Sequence, residues 1–180
     1  MFKYSLAFGN PEDGIRLEEY DAATLVEQML DEHILLLTEK GYRVEYDTSR
    51  LELVEGMTIK TDAGHLMRIG DNIFSNLGKY ADKSESIRIS LSRSGNRIEL
   101  TVINRIAHEK SNVESNGIGL KTCAKLAEVI AEGFEYVKGE DSFCVTLTLP
   151  VSLPKPEPKK ATEPRSRARR APKGAKRSES

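Results

Sequence analysis

The chain is poor in the residues that build metal and redox centres. Its 180 residues include two cysteines, Cys123 and Cys144, whose spacing fits neither a zinc motif nor a redox pair. No apolar run reaches the length of a membrane span. The opening "MFKYSLAFGN" lacks the pattern of a signal peptide, and no segment repeats. These absences speak against a disulfide-stapled secreted scaffold and a helical membrane bundle. They set the expected compartment as the reducing cytoplasm.

Proline is also scarce until the end, where five of the seven residues follow Val151. From Val151 onward there are ten Lys and Arg against three Asp and Glu, a net +7 in a chain whose total is −1, so residues 1–150 carry −8. The stretch "KPEPKKATEPRSRARRAPKGAKRSES" has almost no apolar side chains and cannot offset the entropy of ordering itself. The expectation is a disordered basic tail over 151–180 and a folded domain before it. Such tails are usually solvated; the alternative use is weak electrostatic contact with nucleic acid or an anionic membrane. No aromatic interleaves the tail charges, so base stacking is not expected.

What is present in the first 150 residues is periodic. "IRLEEY" (Ile15–Tyr20) alternates as a strand does. A helix follows, with Asp21 as N-cap and Leu25, Met29, Ile34, Leu35 and Leu36 as much of its apolar stripe, ending at Gly41. "YRVEYD", "RLELV" and "MTIKT" are strand candidates. A second helix is expected over Ala63–Tyr80, capped by Asp62. "SIRISLSRSGNRIELTVINR" reads as a hairpin turning at "SGN". A polar loop, Ile106–Asn116, leads to a third helix from Gly117. "FEYVKG" and "SFCVTLTLP" form a last hairpin closed by Pro150. The fold class expected is α/β: a two-layer sandwich, with a mixed, largely antiparallel sheet and about three helices on one face.

Two segments carry chemistry. In "GDNIFSNLGKY" (Gly70–Tyr80), a turn of about 100° per residue puts Asn72, Asn76, Lys79 and Tyr80 within an arc of roughly 100° beside the apolar stripe. Asn is a poor helix former, so two in one helix need a reason. An amide oxygen suits a magnesium ion that already holds phosphates, and lysine suits phosphate as a point charge. In "SNGIGLKTCAKLAEVI" (Ser115–Ile130), two glycines precede a helix, whose N-terminus offers unpaired N–H groups and a positive dipole end to anions.

Together these segments resemble the ATP-binding catalytic domain of sensor histidine kinases, of the GHKL superfamily and Bergerat-type fold. That family carries an N-box, N-x-x-x-N-A-x-K-Y, matched here by Asn72, Asn76, Lys79 and Tyr80. Its second glycine box, G-x-G-L-G-L, is matched by Gly117, Gly119 and Leu120, with Ser115 in place of the first glycine. "SFCVTLTLP" is similar to its closing strand. The resemblance spans about residues 15–150 and implies ATP and Mg²⁺ as ligands. Asn76 would hold the metal, Asn72 would support metal and phosphates, and Lys79 would contact a phosphate; these three would be the catalytic set. Tyr80 would lie along the nucleotide. Asn116, Gly117, Ile118, Gly119 and Leu120 would line the phosphates. Asn104 stands where the family's D-x-G-x-G box has its adenine-reading Asp, and neither glycine follows it. An Asn oxygen can still accept from the adenine amino group, without charge assistance. The lid, Arg105–Ser115, is short and has no phenylalanine box.

The family's phosphoacceptor pattern, H-[DE]-x-[RK]-x-P, is absent around His33, His65 and His108. His33 is expected at a helix surface or boundary, His65 in a first helical turn and His108 in a loop. The resemblance thus implies transfer of the γ-phosphoryl group to a histidine outside this segment, on a dimerisation helix hairpin upstream or in trans. The response regulator would be reached through a parent kinase that can itself be membrane-anchored. Residues 1–14 read as the end of a preceding dimerisation helix or linker, so Met1 reads as a truncation or an internal start. Two alternatives stand beside this reading. One is a hydrolase of the gyrase type, but such enzymes place a water-activating Glu at position 72, where Asn is a poor base. The other is a degenerate domain that binds partners without catalysis.

Overall fold

The structure, a computed structural model, describes residues 14–110 and 118–153. The expected end of a dimerisation helix, most of the tail, and Ser115, Asn116 and Gly117 lie outside the described residues.

Strand β1 (Glu18–Asp21) runs directly into helix α1 (Ala22–Glu39). The Asp21 carboxylate accepts from the backbone N–H of Thr24 at 3.0 Å and its hydroxyl at 2.8 Å, giving the helix the cap its sequence signalled. Gly41, at φ 94°, turns the chain out of the helix. The buried face of α1 is Ala22, Leu25, Val26, Met29, Leu30 and Leu37. Leu35 and Leu36, expected in the stripe, are exposed at 58% and 44%. A helix turns about 100° per residue, so the run "HILLL" cannot bury every member. Position 37, eight residues after Met29, keeps the phase, whereas 35 and 36 rotate outward.

Strand β2 (Val44–Tyr46) precedes a second departure: "RLELV", expected as a strand, lies in the 3-10 helix Thr48–Val54. Asp47 is the cause. Its carboxylate accepts from the backbone N–H and the hydroxyl of Ser49, an Asx turn that diverts the chain before an extended run can start. Strand β3 (Thr58–Thr61) pairs antiparallel with β1 in a small sheet of their own, where a single mixed sheet had been expected. Helix α2 (Ala63–Tyr80) matches its expected limits.

The main sheet is mixed, as expected, with order β2-β4-β5-β7-β6. Strands β4 (Ile87–Ser94) and β5 (Arg97–Arg105) form a hairpin that turns at Gly95, φ 59°. Strands β6 (Gly133–Lys138) and β7 (Ser142–Pro150) form the other, with β7 antiparallel to both β5 and β6. Among the described strands, only β2 against β4 is parallel. Helix α3 (Ile118–Ile130) joins the halves. After Pro150, Val151 is buried and Ser152 bridges to Thr58, tying the small sheet to the large one.

The two layers close over one core. Ile87, Ile89 and Leu91 of β4 and Ile98, Leu100 and Val102 of β5 point inward, as does alternate β7 from Phe143 to Leu149. They meet Leu66, Ile69, Ile73, Phe74 and Leu77 of α2. Each such side chain contributes about 1.5–3 kcal/mol relative to exposure. Helices α1 and α2 come close at Gly70, where an added Cβ would stand 3.0 Å from the Met29 Cγ. The α/β sandwich with one helical layer is therefore the observed architecture, and its second helix is held on both flanks.

Candidate functional site

Helix α2 begins at a closed polar cluster. Asp62, 5% exposed, accepts from the Arg16 backbone N–H at 2.8 Å, the His65 backbone N–H at 3.1 Å and the His65 ring Nδ1 at 2.9 Å. Burial alone would raise its carboxyl, but these donors outweigh it and hold it below the ordinary carboxylate range.

Two turns later the polar residues change character. Asn72 is half-buried on the side of α2 that faces α3. An ideal Cβ at Gly119 would lie 3.5 Å from its Oδ1, so the first turn of α3 sits beside the asparagine. Asn76 is buried at 7%, yet its Nδ2 has no hydrogen-bond partner among the described residues. An unpaired buried amide costs about 1–3 kcal/mol, a cost that a bound polar ligand would offset. Lys79 is exposed and Tyr80 is buried. The structure thus places the two motif segments side by side, although they are more than forty positions apart in the sequence. Ile118 opens α3, Gly119 is exposed and Leu120 is buried in the core.

The far end of α2 is bonded to the chain just after β5. The Ala107 N–H donates to the Tyr80 carbonyl at 2.9 Å, and Ala81 bridges to Ile106. Asn104 follows Val102 on the inward face of β5, 2% exposed and in register with Phe143. The Phe143 ring stacks near Tyr80, at a centroid distance of 6.3 Å. Asn104 therefore belongs to the Tyr80 end of the site, about one side chain away from it. Its Nδ2 donates to the Arg105 carbonyl at 3.0 Å, which turns the amide oxygen away from that carbonyl. A cleft of about 400 Å³ also opens at the ends of β2, β4 and β5, lined by Arg43, Arg88 and Arg105 together with Glu45 and Glu85. Of the motif residues only Asn104 touches it, so it is not the place where the two asparagines of α2 converge.

The histidines are all accounted for as structure. His33 stacks flat on Phe74 at 4.6 Å, and its Nε2 lies 3.0 Å from the Asp71 carboxylate. His65 is in the first turn of α2, as expected, and His108 begins the 3-10 turn His108–Lys110 rather than an open loop. No three His, Cys, Asp or Glu side chains converge as a metal site among the described residues. An amide-held magnesium that arrives with phosphates would need no such cluster; the orphaned atom of Asn76 is its NH₂, a donor that a phosphate oxygen would satisfy, while a metal would need its Oδ1.

Sequence reasoning missed two neighbours of the site. Lys138 places its Nζ 4.8 Å from the Tyr80 ring centroid, and nothing in its surroundings in the sequence signals that. Cys123, weighed only as a metal or redox residue, is buried with its Sγ 3.9 Å from the Ile69 carbonyl oxygen of α2. Its spacing of four from Gly119 was the available signal, since residues four apart share a helix face.

No protein-family model matches the sequence. Over 147 residues the chain is 28% identical to the sensor histidine kinase YrkQ of Bacillus subtilis (strain 168), an alignment covering 82% of this chain and 33% of that protein. The chain thus spans about a third of the length of this curated relative. Among solved structures it is similar to the histidine kinase AdeS of Acinetobacter baumannii, with a TM-score of 0.54 and 15% identity, over 83% of this chain and 74% of that one. The catalytic domain of the histidine kinase ThkA matches with a TM-score of 0.52 and 17% identity, over 75% of this chain and 95% of that one. The mycobacterial sensor histidine kinase MprB matches with a TM-score of 0.52 and 14% identity, over 76% and 98%.

Proposed function

We propose, from the premise that this chain is a histidine-kinase-type catalytic domain by fold and by sequence likeness, that it binds Mg-ATP and passes the γ-phosphoryl group to a histidine outside residues 1–180. The observation that supports this most is the buried, unpartnered amide of Asn76 beside the contact between Asn72 and Gly119. In this reading the orphaned Asn76 NH₂ donates to a phosphate oxygen and its Oδ1 would hold the metal, whose charge neutralises the phosphates when it is bound. Asn72 supports the metal's coordination shell. Lys79 supplies a point charge to a phosphate. The amides at the head of α3 receive the phosphate oxygens, and Asn104 accepts from the adenine amino group near Tyr80.

The nucleophile in this reading is an imidazole. It needs no water-activating base, and Asn72 is not one. That favours transfer over hydrolysis. His33 and His65 are engaged with carboxylates at 3.0 and 2.9 Å, which suits structural roles better than phosphate acceptance. The acceptor would sit on a dimerisation hairpin of the parent kinase, and a response regulator would take the phosphoryl group from there. Among the described residues no helix is long and apolar enough to cross a membrane.

The test is transfer in trans. With radiolabelled Mg-ATP, the chain alone should remain free of alkali-stable label. Adding an acceptor helix hairpin from a sensor kinase should place label on the hairpin. Alkali-stable label on His33, His65 or His108 of this chain would overturn the proposal.

A further inference from the structure

We propose that Lys138 is a nucleotide-binding residue: it exchanges its seat on the Tyr80 ring for a phosphate of the bound nucleotide, and so uncovers that ring for the base. The inference rests on the Mg-ATP reading above and adds a residue to it. Strand β7 lies between β5 and β6, and Phe143 is in register with Asn104 on one side and with Lys138 on the other. Residues opposite one another in neighbouring strands share a face. Phe143 and Asn104 are buried, so the row Asn104, Phe143, Lys138 crosses the inner face at one end of the sheet. Tyr80, the last residue of α2, meets that row. Its ring stacks near Phe143 at 6.3 Å, and the Lys138 Nζ stands over it, 4.8 Å from the centroid. So covered, Tyr80 is 2% exposed.

The row also reaches toward the head of α3. Only Ala131 and Glu132 separate α3 from β6, and helix and strand pack together. The 13 residues of α3 rise about 20 Å and the six of β6 about 17–20 Å. Lys138, last in its strand, therefore returns to the level of the first turn of α3, where Gly119 lies beside Asn72. Its charge is not committed to a carboxylate. Asp141, in the turn after β6, is paired with Arg105 at 4.0 Å, and among the described residues Lys138 forms no ion pair.

Chemistry selects the phosphate rather than the base as its partner. An ammonium has donors and no acceptor, so it cannot receive an adenine amino group. Nor can it keep its seat when a base lies on Tyr80. Such a base needs contacts of roughly 3.5–4 Å with the ring, and the ammonium stands over that ring face. A cation over an aromatic ring is weakly held near solvent, whereas a phosphate offers a lysine full opposite charge. The phosphates therefore draw Lys138 off the ring, and the base takes its place.

The experiment uses the full chain as wild type, Lys138→Met, Lys138→Arg and Tyr80→Phe. Met keeps an apolar stem beside Tyr80 and removes the charge. Affinities for ATP at fixed Mg²⁺ and for adenosine are read by displacing a fluorescent ATP analogue. The Tyr80 ring resonances, assigned by their loss in Tyr80→Phe, are followed by NMR during titration with Mg-tripolyphosphate, which carries no base. Lys138→Met should weaken ATP about ten-fold, the scale of one hydrogen bond to a charged group, and change adenosine by less than about two-fold. Lys138→Arg, which keeps the charge, should recover to within about three-fold of wild type. Tripolyphosphate should shift the Tyr80 resonances of wild type and leave those of Lys138→Met in place. A lysine that only covers Tyr80 predicts unchanged ATP affinity in Lys138→Met, or equal losses for ATP and adenosine. Either result, or wild-type Tyr80 resonances that ignore tripolyphosphate, would overturn the proposal. If tripolyphosphate moved Tyr80 through Lys138 but wild type failed to bind ATP, the nucleotide reading would fall and the polyphosphate contact of Lys138 would stand.

Discussion

The two ends of helix α2 each bury polar side chains, and they do it in opposite ways. At the N-terminal end Asp62 has a donor for each of its needs: two backbone N–H groups and an imidazole. Near the other end Asn76 is almost as buried, but its Nδ2 meets nothing among the described residues. A satisfied buried group stabilises the fold, whereas an unsatisfied one lowers stability unless something outside the chain completes it. One helix thus carries a satisfied polar anchor at its start and an unsatisfied buried donor toward its end, which in the proposed function bound nucleotide completes. Under the proposed function, the difference separates residues that hold the domain together from residues that would bind nucleotide.

The strongest way to break this comparison is to truncate the unsatisfied amide. Asn76→Ala should reduce Mg-ATP affinity on the order of 100-fold, as expected when a bond to a charged group is lost. The melting temperature should stay the same or rise slightly. Calorimetric titration together with thermal melts checks both. Unchanged affinity would remove the magnesium role from Asn76.

The anchor should behave in the reverse way. Asp62→Ala should cost about 2 kcal/mol of stability, the upper range for an N-cap, with little change in nucleotide affinity. Against the effect of burial, hydrogen bonds from Arg16 and His65 hold its folded carboxyl below the ordinary carboxylate range. The stability it contributes is therefore fully present above about pH 4 and is lost as the pH falls through the depressed folded value. Denaturant melts of wild type and variant should differ near neutral pH and converge in acid. A gap that persisted at low pH would assign the effect to packing rather than to the carboxylate.

Asn104 sharpens the comparison on the base side. Its NH₂ is engaged by the Arg105 carbonyl, so its oxygen is the end available to an adenine amino group. Wild type should discriminate ATP from GTP only modestly, and Asn104→Asp should raise the ATP-to-GTP affinity ratio several-fold, about 1 kcal/mol for charge assistance. Competitive displacement by both nucleotides reads this. A ratio that does not move would place Asn104 away from the base.

The smallest expected effect is a control. Tyr46 also buries an unpartnered atom, its hydroxyl. Burial and the nearby Asp31, Glu27 and Asp47 charges push its phenol up to about 12. It lies on β2, away from both motif segments. Tyr46→Phe should leave nucleotide affinity unchanged and alter stability by no more than about 0.5 kcal/mol in either direction. A clear loss of affinity would mean that an unpartnered buried atom does not by itself mark the ligand site.

Much of this was legible along the chain because the signals are local. Asp21 and Asp62 sit directly before apolar periods, and both cap helices as read. The hairpins at Gly95 and before Ser142 follow from alternation and turn residues. The misreadings came where two local signals competed. "RLELV" alternates, but the Asp47 to Ser49 turn commits the chain to a 3-10 path first. "HILLL" offers more apolar residues than one helical face can hold, and only the phase set by Leu25 and Met29 decides which are exposed.

By itself the sequence determined the helix carrying Asn72 and Asn76, the glycines before α3, the inward alternation that ends at Asn104, and the charge division between the domain and its tail. Each depends on neighbours within a few residues, where backbone geometry and spacing suffice. Only the tertiary structure decided that Gly119 lies against Asn72, that Cys123 meets the Ile69 carbonyl, that Lys138 covers Tyr80, and that Asp62 is completed by Arg16. Those contacts join residues far apart in the chain. They form where the faces of α2, α3 and the sheet meet as the common core is packed, and no local pattern records which side chains will then be adjacent.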